Sequence, residues 1–215
     1  IFQLEMSRTQ LATRLLSAAG FIDSKKLRMG NLTDDDWQKM AEATEDLQKM
    51  SIMIDENSGI TVPEMKAKCR RLGDQLGLIV IDYLQLMHAP KHTDNRVQEV
   101  AEISRSLKIM AKELNVPVLC CCQLSRGPEG RTDKRPMLSD LRESGSIEQD
   151  ADVVVFLARD YYEKDAAKKN VCQVHVAKNR HGSVGKITLN WDGRYTAFTA
   201  QANNVTVPEG YGNAP

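Results

Sequence analysis

A chain of 215 residues, 41% hydrophobic and 27% charged, is long enough to bury a full core and has the composition of an ordered globular domain. Lys and Arg number 29 against 29 Asp and Glu, so no global field recruits a polyanion, and any nucleic-acid contact has to come from locally placed basic groups. No apolar run reaches bilayer length and no signal peptide is evident, while five cysteines, three of them consecutive at 120–122, fit buried, reduced thiols in a cytoplasmic protein better than a metal site or a disulfide framework.

Ile1 to Glu5 alternates as a strand. A domain rarely starts inside its sheet, so this opening reads as that of a fragment. Ser7 caps a predicted helix from about Arg8 to Ala19, with Leu11, Leu15 and Leu16 on one face and Gly20 as its stop. Thr33 followed by Asp34, Asp35 and Asp36 starts a second helix reaching about Lys49, the acidic residues suiting its positive end. Ser51 to Asp55 reads as a short strand. Thr61-Val62-Pro63-Glu64 is a capping box with proline in the first turn, leading a basic helix to about Gln75.

The segment Leu78 to Met87, LIVIDYLQLM, organises the rest. An aliphatic run ending in aspartate reads as a strand buried on both faces, with its carboxylate delivered to the edge where open parallel α/β sheets bind ligands. Asp82 is then either a ligand, direct or through water, to the magnesium of a nucleotide, or a cap for the following turn. A polar loop from His88 to Asn95 leads into a helix from about Val97 to Leu114, whose Val100, Ile103, Leu107, Met110, Ala111 and Leu114 keep helical spacing. Val116 to Cys122 is a second buried strand, with Gln123 at its end as Asp82 stands at the end of the first.

Leu124 to Asp140 reads as a loop rich in Arg, Gly and Pro. The loop Ser139 to Asp152 offers Arg142, Glu143, Ser144, Gly145 and Ser146, groups suited either to a close-approaching phosphate backbone or to helix capping. Val153 to Leu157 is a strand, and Val171 to Lys178, Gly185 to Trp191 and Tyr195 to Thr199 form a meander. The polar tail from Gln201 to Pro215 is expected to be disordered. Lys178-Asn179-Arg180-His181-Gly182 is a basic tip, either an arginine finger for a neighbour's phosphate site or a solvated hairpin end whose turn Gly182 supplies. Gly182 to Lys186 has the wrong glycine spacing for a phosphate loop, and Ile187 stands where a metal-binding hydroxyl belongs, so it reads as a turn. His88, His92, His175 and His181 lack ligand spacing. Glu5, Asp82 and Gln123 thus form the candidate chemical set: two carboxylates and an amide able to orient a water, hold a metal and sense a phosphate.

IFQLEM, NLTDDDW, LIVIDYLQLM, EISRSLKIMAKELNVPV, QLSR, DKRPMLSDLRESGSIEQDADVV and AKNRHG, in that order, resemble the RecA-like C-terminal domain of the bacterial DnaB-type replicative helicases. The likeness runs to about residue 199. It implies an α/β fold, a RecA-like and mostly parallel central sheet flanked by helices with C-terminal antiparallel strands, over residues 1–200. It also implies a homo-hexameric ring moving 5′ to 3′ on single-stranded DNA, driven by ATP and Mg2+ at subunit interfaces, with a helicase loader and primase as partners of the intact protein.

Carried over by position, Glu5 matches the glutamate that activates the attacking water, Asp82 the Walker B aspartate on the magnesium side, and Gln123 the residue linking the γ-phosphate to the DNA loops. Arg142, Glu143 and Gly145 match the DNA-contacting loop, and Lys178 and Arg180 the pair offered to the neighbour's nucleotide, Arg180 as the finger. The 215 residues contain no G-x-x-x-x-G-K-[ST] segment and no N-terminal primase-recruiting domain, so the expectation is that this chain alone turns over little or no ATP. Two other readings stay open: a different RecA-like hexameric ATPase, and a non-catalytic fragment or paralogue that assembles or binds DNA without hydrolysis.

Overall fold

A computed structural model describes residues 1–90, 95–124, 135–159 and 169–201, except for the side chains of 142–144. In chain order its elements are β1 (Phe2–Gln3), α1 (Arg8–Gly20), α2 (Ser24–Met29), α3 (Asp34–Lys49), α4 (Val62–Arg70), β2 (Ile79–Asp82), α5 (Arg96–Leu114), β3 (Val118–Cys120), α6 (Gly145–Asp150), β4 (Val153–Arg159), β5 (Val171–Asn179), β6 (Gly185–Asp192) and β7 (Ala197–Ala200). Two compact units result: Ile1–Arg8 with Ile52–Ala151, and Thr9–Ser51 with the segment from Asp152.

The first unit is built on a sheet ordered β1-β2-β3, with both pairings parallel. Phe2 lies opposite Ile81, Gln3 opposite Asp82, and Ile81 opposite Cys120, so all three strands end at one edge. Phe2, Ile60, Met65, Ile79, Ile81 and Met87 form its core with Val100, Ile103, Leu107 and Met110, the predicted apolar stripe of α5. Each large side chain buried there contributes roughly 1.5–3 kcal/mol. Asn95 accepts from the amides of Val97 and Gln98 at 3.0 and 3.3 Å to start α5, and Asn115, at φ 52°, ends it in the left-handed conformation. Glu64 accepts from the Thr61 amide at 2.8 Å, the predicted start of α4.

The second unit carries an antiparallel meander, β4-β5-β6-β7, in the expected order. Val154 and Phe156 are buried while Val153, Val155 and Leu157 are exposed, a one-sided alternation. In α3 the capping box forms: Asp36 accepts from the Thr33 amide at 3.0 Å and Lys26 Nζ at 2.7 Å. The Lys26 ammonium first, then the Thr33 groups, hold the Asp36 carboxyl down at about 2.

Several local expectations are corrected. β1 spans two residues, and Phe2, Gln3 and Leu4 are all buried in succession, so no alternation exists. The strand expected at Ser51 to Asp55 is replaced by a single bridge between Phe2 and Asp55. α2 is unforeseen; six residues are too few for a hydrophobic period to register. Gly73, at φ 53°, stops the basic helix, and a 3-10 turn over Gly73–Gln75 follows. β2 alternates buried with half-buried rather than being buried on both faces. β3 is shorter than predicted, with Leu119 52% exposed. Cys69 and Cys172 are buried, but Cys120 and Cys122 are half-buried and Cys121 exposed. The predicted loop spanning Ser139 to Asp152 is instead largely helical: a 3-10 segment, Leu138–Ser144, kinked at Leu141, runs into α6. Residues 125–134 and 202–215, and with them part of the loop expected from Leu124 to Asp140 and the tail, lie outside the described residues.

Gly20 does not stop α1. Phe21, at φ 50°, takes the left-handed position, while a Cβ on Gly20 would stand 3.2 Å from both the Ala43 Cβ and the Lys39 carbonyl of α3. Its missing side chain serves the approach of two helices, a constraint no local signal carries.

Candidate active site

Parallel pairing brings the ends of β1, β2 and β3 together, and with them Glu5, Asp82 and Gln123, from three distant parts of the sequence. Gln3 joins the first two. Its side chain is 2% exposed; Nε2 donates to Asp82 Oδ2 at 3.0 Å, while Oε1 accepts from the amides of Glu5 and Met6 at 3.2 and 3.4 Å. The Leu4 amide also donates to the Asp82 carbonyl at 2.8 Å. One buried amide therefore orients the β2 carboxylate and the turn that presents Glu5, whose side chain is exposed. Sequence reasoning missed Gln3. Its one signal is a polar residue inside the apolar run Ile1 to Leu4.

A hard oxygen donor at a parallel strand end fits Mg2+, which takes one or two carboxylates and completes its shell with water and phosphate oxygens. Asp82 meets that requirement; no group of three or more His, Cys, Asp or Glu forms an all-protein metal cage among the described residues.

Gln123 is exposed, and its backbone is held from the turn after β2: its amide donates to Gln85 Oε1 at 3.0 Å, and Gln85 Nε2 donates to its carbonyl at 2.8 Å. Partial burial of the sulfur first, and then the Asp82 carboxylate, push the Cys121 thiol up, so it is a poor nucleophile at neutral pH although the residue as a whole is exposed.

Gly145 opens α6, and Arg142 and Glu143 lie in the preceding 3-10 segment, with side chains outside the described residues. Ser104 of α5 donates to Asp150 at 2.8 Å, tying the end of α6 to the core helix. The helical geometry replaces the expected loop but keeps Arg142, Glu143 and Gly145 in one segment of the first unit.

Lys178 and Arg180 belong to the second unit, at the end of β5 and in the turn toward β6. The Arg180 guanidinium meets Asp152 Oδ1 at 3.1 Å, and its amide donates to the Asp152 carbonyl at 2.8 Å. Asn179 shapes the tip: Nδ2 donates to the Ser183 carbonyl at 3.2 Å and Oδ1 accepts from the His181 amide at 3.4 Å. A Cβ on Gly182 would stand 2.6 Å from Asn179 Nδ2. Close approach, not a left-handed backbone, is what asks for glycine there.

Parallel strands delivering carboxylates and an amide to one edge, followed by an antiparallel meander with a basic tip, are the architecture of a RecA-like ATPase domain. Residues 1–200 match the family model described as DnaB-like helicase C terminal domain, and the chain belongs to that family. It is 53% identical over 202 residues to the replicative DNA helicase DnaC of Bacillus subtilis (strain 168) and 52% identical over 202 residues to the replicative DNA helicase DnaB of Geobacillus stearothermophilus. Each alignment covers 92% of this chain and 44% of the relative, so the chain spans less than half the length of these curated relatives. Among solved structures, a DnaB-like replicative helicase described with its interactions with primase matches 93% of this chain and 51% of its own, at 40% identity and a TM-score of 0.89. A second solved structure, described as an ATPase domain, matches 93% of this chain and 73% of its own, at 40% identity and a TM-score of 0.88.

Proposed function

We propose that residues 1–200 form the motor domain of a replicative DNA helicase that couples ATP hydrolysis at subunit interfaces of a homo-hexamer to 5′ to 3′ movement on single-stranded DNA and duplex unwinding. The observation that carries the assignment is the Gln3 bridge, which ties Asp82 to the Glu5 turn at the edge where a nucleotide binds in such sheets. In this reading Asp82, oriented by the Gln3 amide, would hold the magnesium ion, directly or through water. Magnesium, when bound, neutralises charge on the β- and γ-phosphates. Glu5 orients and deprotonates the attacking water. Gln123 senses the γ-phosphate and passes its state to the segment carrying Arg142, Glu143 and Gly145, which meets the DNA backbone.

Lys178 and Arg180 act in trans on the neighbouring subunit's nucleotide, Arg180 exchanging Asp152 for phosphate oxygens as the finger. Primase and a loader are partners of the whole protein, and its site of action is the cytoplasm. With no G-x-x-x-x-G-K-[ST] among the 215 residues, the chain alone lacks the backbone cradle and lysine for the β- and γ-phosphates and hydrolyses little ATP. That same sequence feature favours a second reading, a non-catalytic piece that joins a ring without hydrolysis.

The test is ATP hydrolysis by this chain, with and without single-stranded DNA, beside a version extended upstream through a G-x-x-x-x-G-K-[ST] segment. DNA-stimulated turnover in the extended version alone is the expected result. Turnover in neither, with assembly into rings of intact subunits, selects the second reading.

A further inference from the structure

Gln85 is, after Gln3, a second group outside the chemical set that is hydrogen-bonded to it. It lies in the 3-10 turn Leu84–Leu86 that follows β2, half-buried, and reaches across to the end of β3. Its amide pairs with both main-chain groups of one residue: Oε1 accepts the Gln123 N–H at 3.0 Å and Nε2 donates to the Gln123 carbonyl at 2.8 Å, with Cys122 Sγ 3.1 Å from the same nitrogen. Two antiparallel hydrogen bonds of this kind mimic a β-ladder pair, extending the sheet by one residue with a side chain in place of a strand.

The turn that carries Gln85 is itself anchored to the start of α5. Arg96 donates to the carbonyls of Gln85 at 2.8 Å and Met87 at 3.1 Å. Glu99, paired with Arg96, accepts from the Ala89 amide at 3.1 Å. Arg96 and Glu99 are one helical turn apart, so the anchor sits on a rigid element packed on the core. A continuous series of contacts therefore runs from α5 through Gln85 to the backbone of Gln123.

We propose that Gln85 is a positioning residue: its amide clamp defines the rest position of Gln123, and Gln123 transmits nucleotide state to the DNA-contacting segment only by moving with or against that clamp. This deepens, and rests on, the reading of Gln123 as the γ-phosphate-linked residue. Gln85 grips the main chain of Gln123 and leaves its side-chain amide to the phosphate. Removing the clamp should therefore loosen the coupling between the two ligands while sparing the hydrolytic step, which the proposed function assigns to Asp82 and Glu5.

Two measurements test the clamp. In the 215-residue chain, amide hydrogen exchange at Gln123 should quicken about tenfold in Gln85→Met, which keeps the volume and loses both bonds, and should stay near the parent rate in Gln85→Glu, which keeps an acceptor for that N–H. In the upstream-extended version, Gln85→Met should lower the ratio of single-stranded-DNA-stimulated to basal ATP turnover by about fivefold, with basal turnover within about twofold of the parent. Unchanged exchange at Gln123, or an unchanged ratio in Gln85→Met while Gln123→Ala lowers it, overturns the clamp and leaves the proposed function standing. An unchanged ratio in Gln123→Ala overturns the underlying reading of Gln123 instead.

Discussion

The two groups of candidate residues are held in place by different physics. Glu5, Asp82 and Gln123 gather at a parallel sheet edge through contacts between positions far apart in the chain; the Gln3–Asp82 bond spans 79 residues and is made by a side chain shut away from water. Lys178 and Arg180 stand on a hairpin tip shaped by Asn179, bonded to Ser183 four residues on, with Arg180 paired with a half-exposed Asp152 just before β4. The first arrangement is tied together by Gln3, a buried amide with no water to fall back on. The second keeps its cation in high dielectric, where an ion pair is weak and easily exchanged. A strand edge suits groups that must return to one register; a tip suits a group that has to change partners.

The largest expected effects break this comparison on the side of chemistry. In the upstream-extended version, Asp82→Asn, Glu5→Gln and Arg180→Ala should each lower ATP turnover by about a thousandfold. Arg180→Ala should do so with little change in stability, since an exposed pair of this kind contributes at most about 1 kcal/mol. Urea titration beside steady-state turnover measures both, and a catalytic arginine whose loss unfolds the domain would erase the contrast.

Next comes Gln3, where stability and function should fail together. Gln3→Leu keeps the volume but strips the Glu5 and Met6 amides and the Asp82 carboxylate of their partner, at a cost of about 1–3 kcal/mol by urea titration. The 215-residue chain suffices for that measurement. A neutral result would mean that the strand edge is no more preorganised than the tip.

A smaller, pH-dependent effect belongs to the second unit. The Asp36 carboxyl is held at about 2 against an ordinary 3.8, so its contribution is complete above about pH 4 and is lost as the pH falls through about 2. Thermal midpoints between pH 5 and 2 should fall more steeply in the parent than in Asp36→Asn, which lacks this titration. Equal slopes would remove Asp36 from the acid response. Smallest of all is Gly182→Ala, whose Cβ displaces only the Asn179 amide; it should reshape the tip, slowing turnover within about tenfold while leaving the melting of the domain unchanged.

Short-range chemistry in the sequence determined much of this protein. The caps at Thr33, Thr61 and Asn95, the apolar stripe of α5, the aliphatic run ending in Asp82 and the turns of the meander are each signalled within a few residues, because helical and strand periods and capping bonds are local. The order of the motifs also pointed to the family. Only the tertiary structure decided the rest. It made β1 two residues long and buried Gln3 as the bridge between the Asp82 carboxylate and the backbone of the Glu5 turn. It turned the expected loop before Asp152 into helical segments tied to α5 through Ser104, and it set Gln85 on the backbone of Gln123. It also explains Gly20 by a neighbouring helix instead of by its own backbone. Each of these depends on what lies across a strand pairing or a helix contact, and a hydrogen bond between residues 79 apart leaves no periodic trace in the sequence that makes it.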